Sequence, residues 1–246
     1  MNTLSPHSVA AGVVTSAVRA MPDVMELANT FAAAGFELAL VGGSVRDLIL
    51  ARPITDLDFT TNATPQQIND VVKSWAETVW DVGIAFGTVG VRRNNFKAEI
   101  TTYRSEIYRD ESRKPEVAFG TTLEADLVRR DFTINAFAVR LPELQFVDLF
   151  DGVSDLSKKL IRTPREPELS FSDDPLRMMR AARFASQLNF TPVMDLLIAA
   201  TQMSQRIEIV SAERIRDEFN KLILGEFPTA GLEILDGTKL SHYIMP

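Results

Sequence analysis

Two aspartates one residue apart, Asp56 and Asp58, open the short run Asp56-Leu57-Asp58-Phe59-Thr60-Thr61. In an extended strand, positions i and i+2 point to the same side, so both carboxylates project together while Leu57 and Phe59 lie behind them. Like charges that close repel unless a cation sits between them. An all-oxygen pair suits Mg²⁺, which is typically held by one or two carboxylates plus substrate phosphates. Upstream, Leu40-Val41-Gly42-Gly43-Ser44-Val45-Arg46-Asp47 sets two glycines between an apolar run and a helix start. Glycines let backbone N–H groups approach an oxyanion, the helix terminus adds a favourable dipole, and Arg46 one turn later adds a charged fork for a phosphate. Taken singly, the glycines are a tight turn and the aspartates a solvated strand end. Side by side they are the minimum apparatus for nucleotidyl transfer: a phosphate cradle next to a divalent-cation site.

The elements around them can be read from periodicity. Val24, Leu27, Ala28 and Phe31 share one helical face that Gly35 closes, and Glu37–Val41 reads as a buried strand entering the glycines. Ser44 is placed to cap a helix over 44–51, and the Asp56/Asp58 run is a second strand. Pro65 opens a helix with Ile68, Val71, Val72 and Trp75 on one face. Strands follow around 79–82, 87–91 and 97–102, the last two joined by Asn94-Asn95. Residues 105–118 are charged and turn-rich, which predicts an exposed, mobile loop. Leu123–Arg129 reads as a helix, and Ala136–Arg140 with Gln145–Asp148 as a final strand pair. Residues 1–22 show no strong period and read as a loose extension. Beyond Gly152 the pattern predicts helices at about 174–188, 192–205 and 211–224 and no further strand. The expected architecture is α+β: a mixed head over 23–150, then an all-helical segment over 151–246.

Composition removes several alternatives. The 246 residues are 46% hydrophobic and 24% charged, as in an ordinary globular protein, and no apolar run approaches the length of a membrane span. There is no cysteine, which excludes a disulfide scaffold, a thiolate nucleophile and a Cys-ligated metal. With His7 and His242 the only histidines, a triad or an all-histidine metal site is not expected, and any metal falls to carboxylates. The N-terminus lacks a basic start ahead of an apolar stretch, so a cytoplasmic setting is expected. Twenty-six basic residues against 33 acidic give a net charge of −7, so a nucleic-acid partner would need a local basic face. Candidates are Arg92-Arg93 with Lys97, Arg109 with Arg113-Lys114, Arg129-Arg130, Lys158-Lys159-Arg162, and Arg177/Arg180/Arg183.

The stretch LVGGSVRDLILARPITDLDFTTNATPQQI resembles the signature of the class II tRNA nucleotidyltransferases, the CCA-adding enzymes, and their bacterial poly(A) polymerase relatives. Arg129-Arg130-Asp131-Phe132-Thr133-Ile134-Asn135-Ala136 is similar to the family's second motif. Asp148-Leu149-Phe150-Asp151-Gly152 with Asp155-Leu156 is similar to the third. Asp173-Asp174-Pro175-Leu176-Arg177 through Arg180 and Arg183-Phe184 is similar to the fourth, and Ala212-Glu213-Arg214 with Glu218 and Lys221 to the fifth. The fourth usually begins Glu-Asp, and here it is Asp-Asp. The resemblance implies a polymerase-beta-like head with a helical neck. It implies an enzyme that uses Mg²⁺ at Asp56 and Asp58 to add CMP and AMP from CTP and ATP to the tRNA 3′ end. Family members continue into helical body and tail domains, which this chain is expected to lack.

Within that resemblance, Asp174 and Arg177 are three apart and would be neighbours on one helical face. Asp accepts and Arg donates. Cytosine and adenine each present an amino donor beside a ring-nitrogen acceptor and fit this pair; guanine and uracil present the reverse order. The plain alternative is a salt bridge between the two. Arg180, Arg183 and Arg130 are implied to hold the nucleotide, together with Gly42, Gly43 and Arg46, while Arg129 reads as support. Glu99 is a possible third carboxylate near the metals or a solvent-facing strand residue. In the fifth motif, Ser211 is placed to cap a helix, with Arg214/Glu218 and Glu218/Lys221 pairing along its surface. The Gly83–Val89 segment resembles the CCA-adding branch more than the polymerase branch. A poly(A) polymerase, an A-only-adding enzyme and a catalytically silent nucleotide- or RNA-binding module are the alternatives.

Overall fold

The computed structural model describes residues 5–54, 56–83, 87–107, 116–119 and 122–245. The fold is α+β. Packing divides the chain into a first unit, Met1–Arg130 with Ile134–Val153, and a second, Asp131–Thr133 with Ser154–Pro246.

The first unit is built on a seven-stranded mixed sheet of order β3-β4-β5-β2-β1-β8-β9. Its strands are β1 (Leu38–Val41), β2 (Leu57–Thr61), β3 (Thr78–Gly83), β4 (Thr88–Arg93), β5 (Phe96–Thr102), β8 (Phe137–Leu141) and β9 (Gln145–Asp148). Only β2 and β5 run parallel among the neighbouring pairs of this sheet. Phe59, Val89, Val91 and Ile100 are buried on one face under Ile68 and Val72 of α4 (Pro65–Val72) and the Val24, Leu27, Phe31 stripe of α2 (Pro22–Ala33). Burying such a side chain is worth about 1.5–3 kcal/mol. α4 begins with a capping box, Thr64 accepting from the Gln67 N–H and Gln67 returning to the Thr64 N–H. On the other side, Leu123 and Leu127 of α5 (Leu123–Val128) pack with Ala39, Val41, Tyr103 and Ala138. β1 is therefore buried on both faces, which is why its sequence is a continuous apolar run.

Three expectations change here. Residues 6–19 form a helix, α1 (Pro6–Arg19), that buries Ala10, Val14 and Val18; Ser5 caps it, accepting from the Ser8 N–H at 3.1 Å. The stripe recurs only every fourth residue and includes an alanine, so it stood out weakly from its surroundings. The helix after the glycines, α3 (Gly43–Ile49), starts one residue earlier than expected, at Gly43, with Gly42 as N-cap; Ser44 lies inside it and has other partners. The stretch expected as a loop over 105–118 carries paired strands at its ends, β6 (Arg104–Ile107) and β7 (Glu116–Phe119), and its centre, 108–115, lies outside the described residues.

The second unit is mainly helical: α7 (Pro167–Asp173), α8 (Leu176–Leu188), α9 (Met194–Met203), a 3-10 stretch Ser204–Ile209, α10 (Ala212–Ile223), α11 (Pro228–Gly237) and α12 (Leu240–Ile244). α6 (Gly152–Lys158) runs through the division. Against expectation, two further strands occur, β10 (Leu160–Ile161) and β11 (Thr191–Pro192), paired in parallel. At two residues each they leave no period to read. α8 is buried along nearly its whole circumference and ends at Asn189 in the left-handed conformation. Among the described residues, no helix is long and apolar enough to cross a membrane.

Candidate functional site

In the first unit, β1 ends at Gly42, whose φ of 75° and ψ of −136° suit only glycine. A Cβ there would stand 2.8 Å from Arg130 Nη1, so the Arg130 guanidinium overhangs the turn. Ser44 explains how the turn reaches the aspartates. Its buried hydroxyl donates to the Asp56 carbonyl at 3.0 Å and accepts from the Asp58 N–H at 3.3 Å. One side chain thus clips the start of α3 to the start of β2. Sequence reading assigned Ser44 to capping and missed this tie.

Asp56 and Asp58 are exposed at the surface of the sheet. Partial burial of its carboxyl by the surrounding protein raises Asp58 above the usual carboxylate range; Arg130 opposes this and the Asp56 charge adds to it. Glu99 lies directly opposite Asp58 in the β2–β5 register. Its carboxyl is also raised, by burial first and then by Asp58, with Lys97 opposing and Asp56 adding. The Asp56 charge therefore disfavours ionisation of both Asp58 and Glu99, and the Asp58 charge that of Glu99. Among the described residues, however, no group of three acidic or histidine side chains converges closely enough to hold a metal ion. Two carboxylates with nearby phosphate oxygens remain a sufficient donor set for a hard cation that keeps several waters.

Arg46 is buried, with Nη1 donating to Asn135 Oδ1 at 2.5 Å and Nε and Nη2 to the Asp47 carboxylate at 2.9 Å each. Instead of an open fork it is a brace fixing the turn, with its guanidinium 3.5 Å from where a Gly43 Cβ would be. Arg130 Nη2 pairs with Asp126 Oδ2 at 3.0 Å, and Arg129 with Asp126 Oδ1 at 2.5 Å and with the Arg104 carbonyl at 3.2 Å. Burial opposes ionisation of Asp126, but Arg130 and Arg129 hold its carboxyl below the usual range. Asp126 was not anticipated, although its spacing of three and four from the two arginines on a helix was a signal.

The second unit holds the other predicted residues. Asp174 is not on α8: it is extended (φ −148°, ψ 103°) between α7 and α8, where Oδ1 accepts from the Leu176 N–H at 3.1 Å. Its Oδ2 takes Arg214 Nη2 at 2.7 Å. Arg177 is buried and donates through Nη1 to Ser170 Oγ at 2.8 Å. The expected shared helical face is thus replaced by a strand-like residue followed by the first turn, because Pro175 disfavours helix at the residue before it.

Arg180 Nε and Nη2 donate to Asp131 Oδ2 at 2.8 and 2.5 Å, with Glu218 Oε1 3.8 Å from Nη1. Burial works against the Arg180 cation, yet Asp131 and Glu218 leave it raised. Arg183 donates from Nε to Glu218 Oε2 at 2.6 Å and from Nη1 to Gln187 at 2.8 Å, and its guanidinium lies 4.0 Å from the Phe184 ring centre. It is lowered by burial and then by Arg180. The fifth motif is therefore not a self-contained surface ladder. Arg214 reaches Asp174 and Glu218 is 5% exposed under Arg180 and Arg183, with Lys221 paired to Glu218 along the helix at 3.7 Å. Ser211 occupies the N-cap position of α10 without a side-chain cap bond.

Comparison with known proteins follows the same division. A family model described as the poly(A) polymerase head domain matches residues 38–162, about half of the chain. A second, described as a probable RNA- and SrmB-binding site of polymerase A, matches 189–246. The CCA-adding enzyme of Pediococcus pentosaceus is 44% identical over 211 residues, 85% of this chain and 52% of that protein. That of Streptococcus gordonii is 46% identical over 204 residues, 82% and 50% of the two lengths. Among solved structures, the Bacillus stearothermophilus CCA-adding enzyme in complex with CTP is similar with a TM-score of 0.79 at 34% identity, covering 98% of this chain and 54% of that one. A tRNA nucleotidyltransferase complexed with a primer tRNA and an incoming ATP analogue is similar with a TM-score of 0.74 at 27% identity, covering 89% and 62%. The chain spans about half the length of the curated relatives it matches.

Proposed function

The chain belongs to the class II tRNA nucleotidyltransferase and poly(A) polymerase family, and on that premise we propose that it adds CMP and AMP, from CTP and ATP, to the 3′ end of tRNA. The observation that supports this best is the Ser44 clip, which ties the Gly42-Gly43 turn to the Asp56/Asp58 strand and so fixes a phosphate cradle beside a carboxylate pair.

Asp56 and Asp58 would hold Mg²⁺. Of two ions bound there, one would lower the pKa of the RNA 3′-hydroxyl and the other would neutralise the leaving pyrophosphate. The chain's own residues do the rest. The Gly42-Gly43 turn, with the Gly42 N–H held by the Phe137 carbonyl at 3.1 Å, and the Arg130 guanidinium orient the triphosphate, while Arg46 braces the turn through Asn135 and Asp47. The 3′-oxygen forms a bond to the α-phosphorus, the bond from that phosphorus to the pyrophosphate oxygen breaks, and the hydroxyl proton passes to solvent. No protein nucleophile takes part.

Asp174 and Arg177 choose the base. An acceptor and a donor match the amino and ring-nitrogen edge of cytosine or adenine, and leaving those groups unpaired against uracil or guanine costs about 1–3 kcal/mol each. Arg180 and Arg183 complete the nucleotide-holding side of the second unit. A tRNA substrate is consistent with a cytoplasmic setting.

Supplying CTP and ATP separately, with tRNA ending before CCA and with an unrelated RNA, tests the reading. Both nucleotides should enter tRNA alone, with Mg²⁺-dependent pyrophosphate release. ATP-only incorporation into either RNA would favour the polymerase relatives, and absence of pyrophosphate would leave a binding module.

A further inference from the structure

A single cross-strand row runs over the sheet of the first unit. Trp80 pairs with Gly90, Gly90 with Glu99, and Glu99 with Asp58. Directly paired residues point to the same face, so the indole and the site carboxylates share one surface, opposite the face that buries Phe59, Val91 and Ile100. A Cβ on Gly90 would stand 2.2 Å from Trp80 Cε2, 2.5 Å from Nε1 and 2.6 Å from Cζ2, so the indole lies across the β4 backbone where only glycine leaves room. Trp80 remains partly open to solvent, unlike Trp75, which is packed edge-on against Phe96. Lys97 Nζ lies 6.0 Å from the centre of the Trp80 ring, and Lys97 and Arg92, both exposed, stand on the same face.

We propose that Trp80 is the stacking platform for the terminal base of the RNA strand whose 3′-hydroxyl is extended, a positioning role that rests on the nucleotidyl-transfer reading above. Trp80 is three strands from Asp58, about 14 Å between backbones at ordinary strand spacing, and the indole spans the first part of that gap over Gly90. A ribose bridges the remainder, from a stacked base to a 3′-oxygen near the carboxylates. Proteins that grip single strands combine cations along the phosphates with aromatic rings under the bases, and Lys97 and Arg92 supply the cations here. Stacking accepts any base, because every base has a π-face. That tolerance suits an acceptor whose terminal base changes after each addition, where a hydrogen-bonding pocket would reject one of the intermediates. Base choice for the incoming nucleotide then lies elsewhere, and the strand end needs only a flat seat.

The chain has two tryptophans, so in Trp75→Phe the indole emission reports Trp80 alone. Titration with a short oligoribonucleotide bearing a free 3′-hydroxyl should quench that emission saturably, and CTP at the same concentration should not. If Trp75→Phe folds poorly, the quench is read in the native chain and should vanish in Trp80→Phe. In steady-state assays, Trp80→Ala should raise KM for tRNA roughly ten- to a hundredfold with KM for CTP held within about twofold. Trp80→Phe should recover most of the loss and Trp80→Leu little. Nucleotide incorporation without any quench, quenching by CTP alone, equal rescue by Leu and Phe, or a Trp80→Ala that only lowers thermal stability would overturn the platform. Quenching by RNA in a protein that incorporates no nucleotide would overturn the transfer reading and leave the platform standing. Neither signal would overturn both.

Discussion

In the first unit, Asp56, Asp58 and Glu99 bring like charges together: the Asp56 charge adds to burial in raising Asp58, and the Asp58 and Asp56 charges do the same for Glu99. In the second unit, Asp131, Asp174 and Glu218 are each set against an arginine, at 2.5–2.7 Å for the closest contacts. One region sets carboxylates beside one another; the other sets each carboxylate against a guanidinium. A site for a cation gains from standing repulsion, because binding relieves it. A site for reading a base gains from fixed geometry, which close ion pairs provide.

The comparison breaks most visibly at the carboxylate pair. Asp56→Ala and Asp58→Ala should each abolish transfer, a loss of at least about 10³-fold, with thermal stability undiminished, since removing repulsion does not cost folding energy. Nucleotide incorporation and a melting curve on the same preparation decide this, and wild-type turnover in either variant would end the metal assignment. In the second unit the same kind of change should act on the fold. Glu218→Ala leaves Arg180 and Arg183 without their shared buried carboxylate, and should cost about 3–5 kcal/mol in denaturant unfolding. A cost below about 1 kcal/mol would show that the network is not buried in solution.

Asp174→Ala and Arg177→Ala should fall in between. Each should lower CTP and ATP use together by about 1–3 kcal/mol and bring the CTP-to-UTP incorporation ratio toward unity. A ratio that stays fixed while the rate falls would make these residues supports of α8 and nothing more. Arg214→Ala, which frees Asp174 without removing it, should shift the ratio less than Asp174→Ala does.

The smallest effect concerns pH. A carboxyl raised in the folded state binds its proton more tightly there than in the unfolded chain. Its stability contribution is therefore most favourable below the unfolded value near 4 and declines as pH rises through the folded value. Asp58→Asn removes that decline. Because Asp58 is exposed, screening limits the gain to under about 1 kcal/mol, or ~2–4 °C in melting temperature at pH 7. The difference from wild type should disappear below about pH 4. A gain that persists there would have another origin.

Much of the first unit is legible because its signals are local. Gly42-Gly43 between an apolar run and a helix, the alternation through Asp58 and Phe59, and the paired strands flanking Asn94-Asn95 are all set within a few residues. What escapes is whatever depends on a distant partner. Ser44 reads as a cap until Asp56 and Asp58 come beside it, and Glu218 reads as a surface residue until Arg183, 35 positions earlier, is laid over it. Asp174 shows a different limit: helical spacing to Arg177 is correct arithmetic, but Pro175 fixes the start of the helix one residue later. β10 and β11 exist only as partners of each other and have no pattern of their own.

Asp131–Thr133 belongs to the second unit while the residues on both sides of it belong to the first. During synthesis, Asp131 leaves the ribosome 49 residues before Arg180, and Thr133 22 residues before Asp155, to which it bonds at 2.5 Å. The early segment therefore waits, its acceptor and hydroxyl unmatched, until the later helices have emerged. It also follows that no single cut yields two intact halves. A piece beginning at Ser154 would hold Arg180 without Asp131, and a piece ending at Val153 would carry three residues whose partners are on the other fragment. The two units are interleaved along the chain, so any cut between them strands residues of one on the other's fragment.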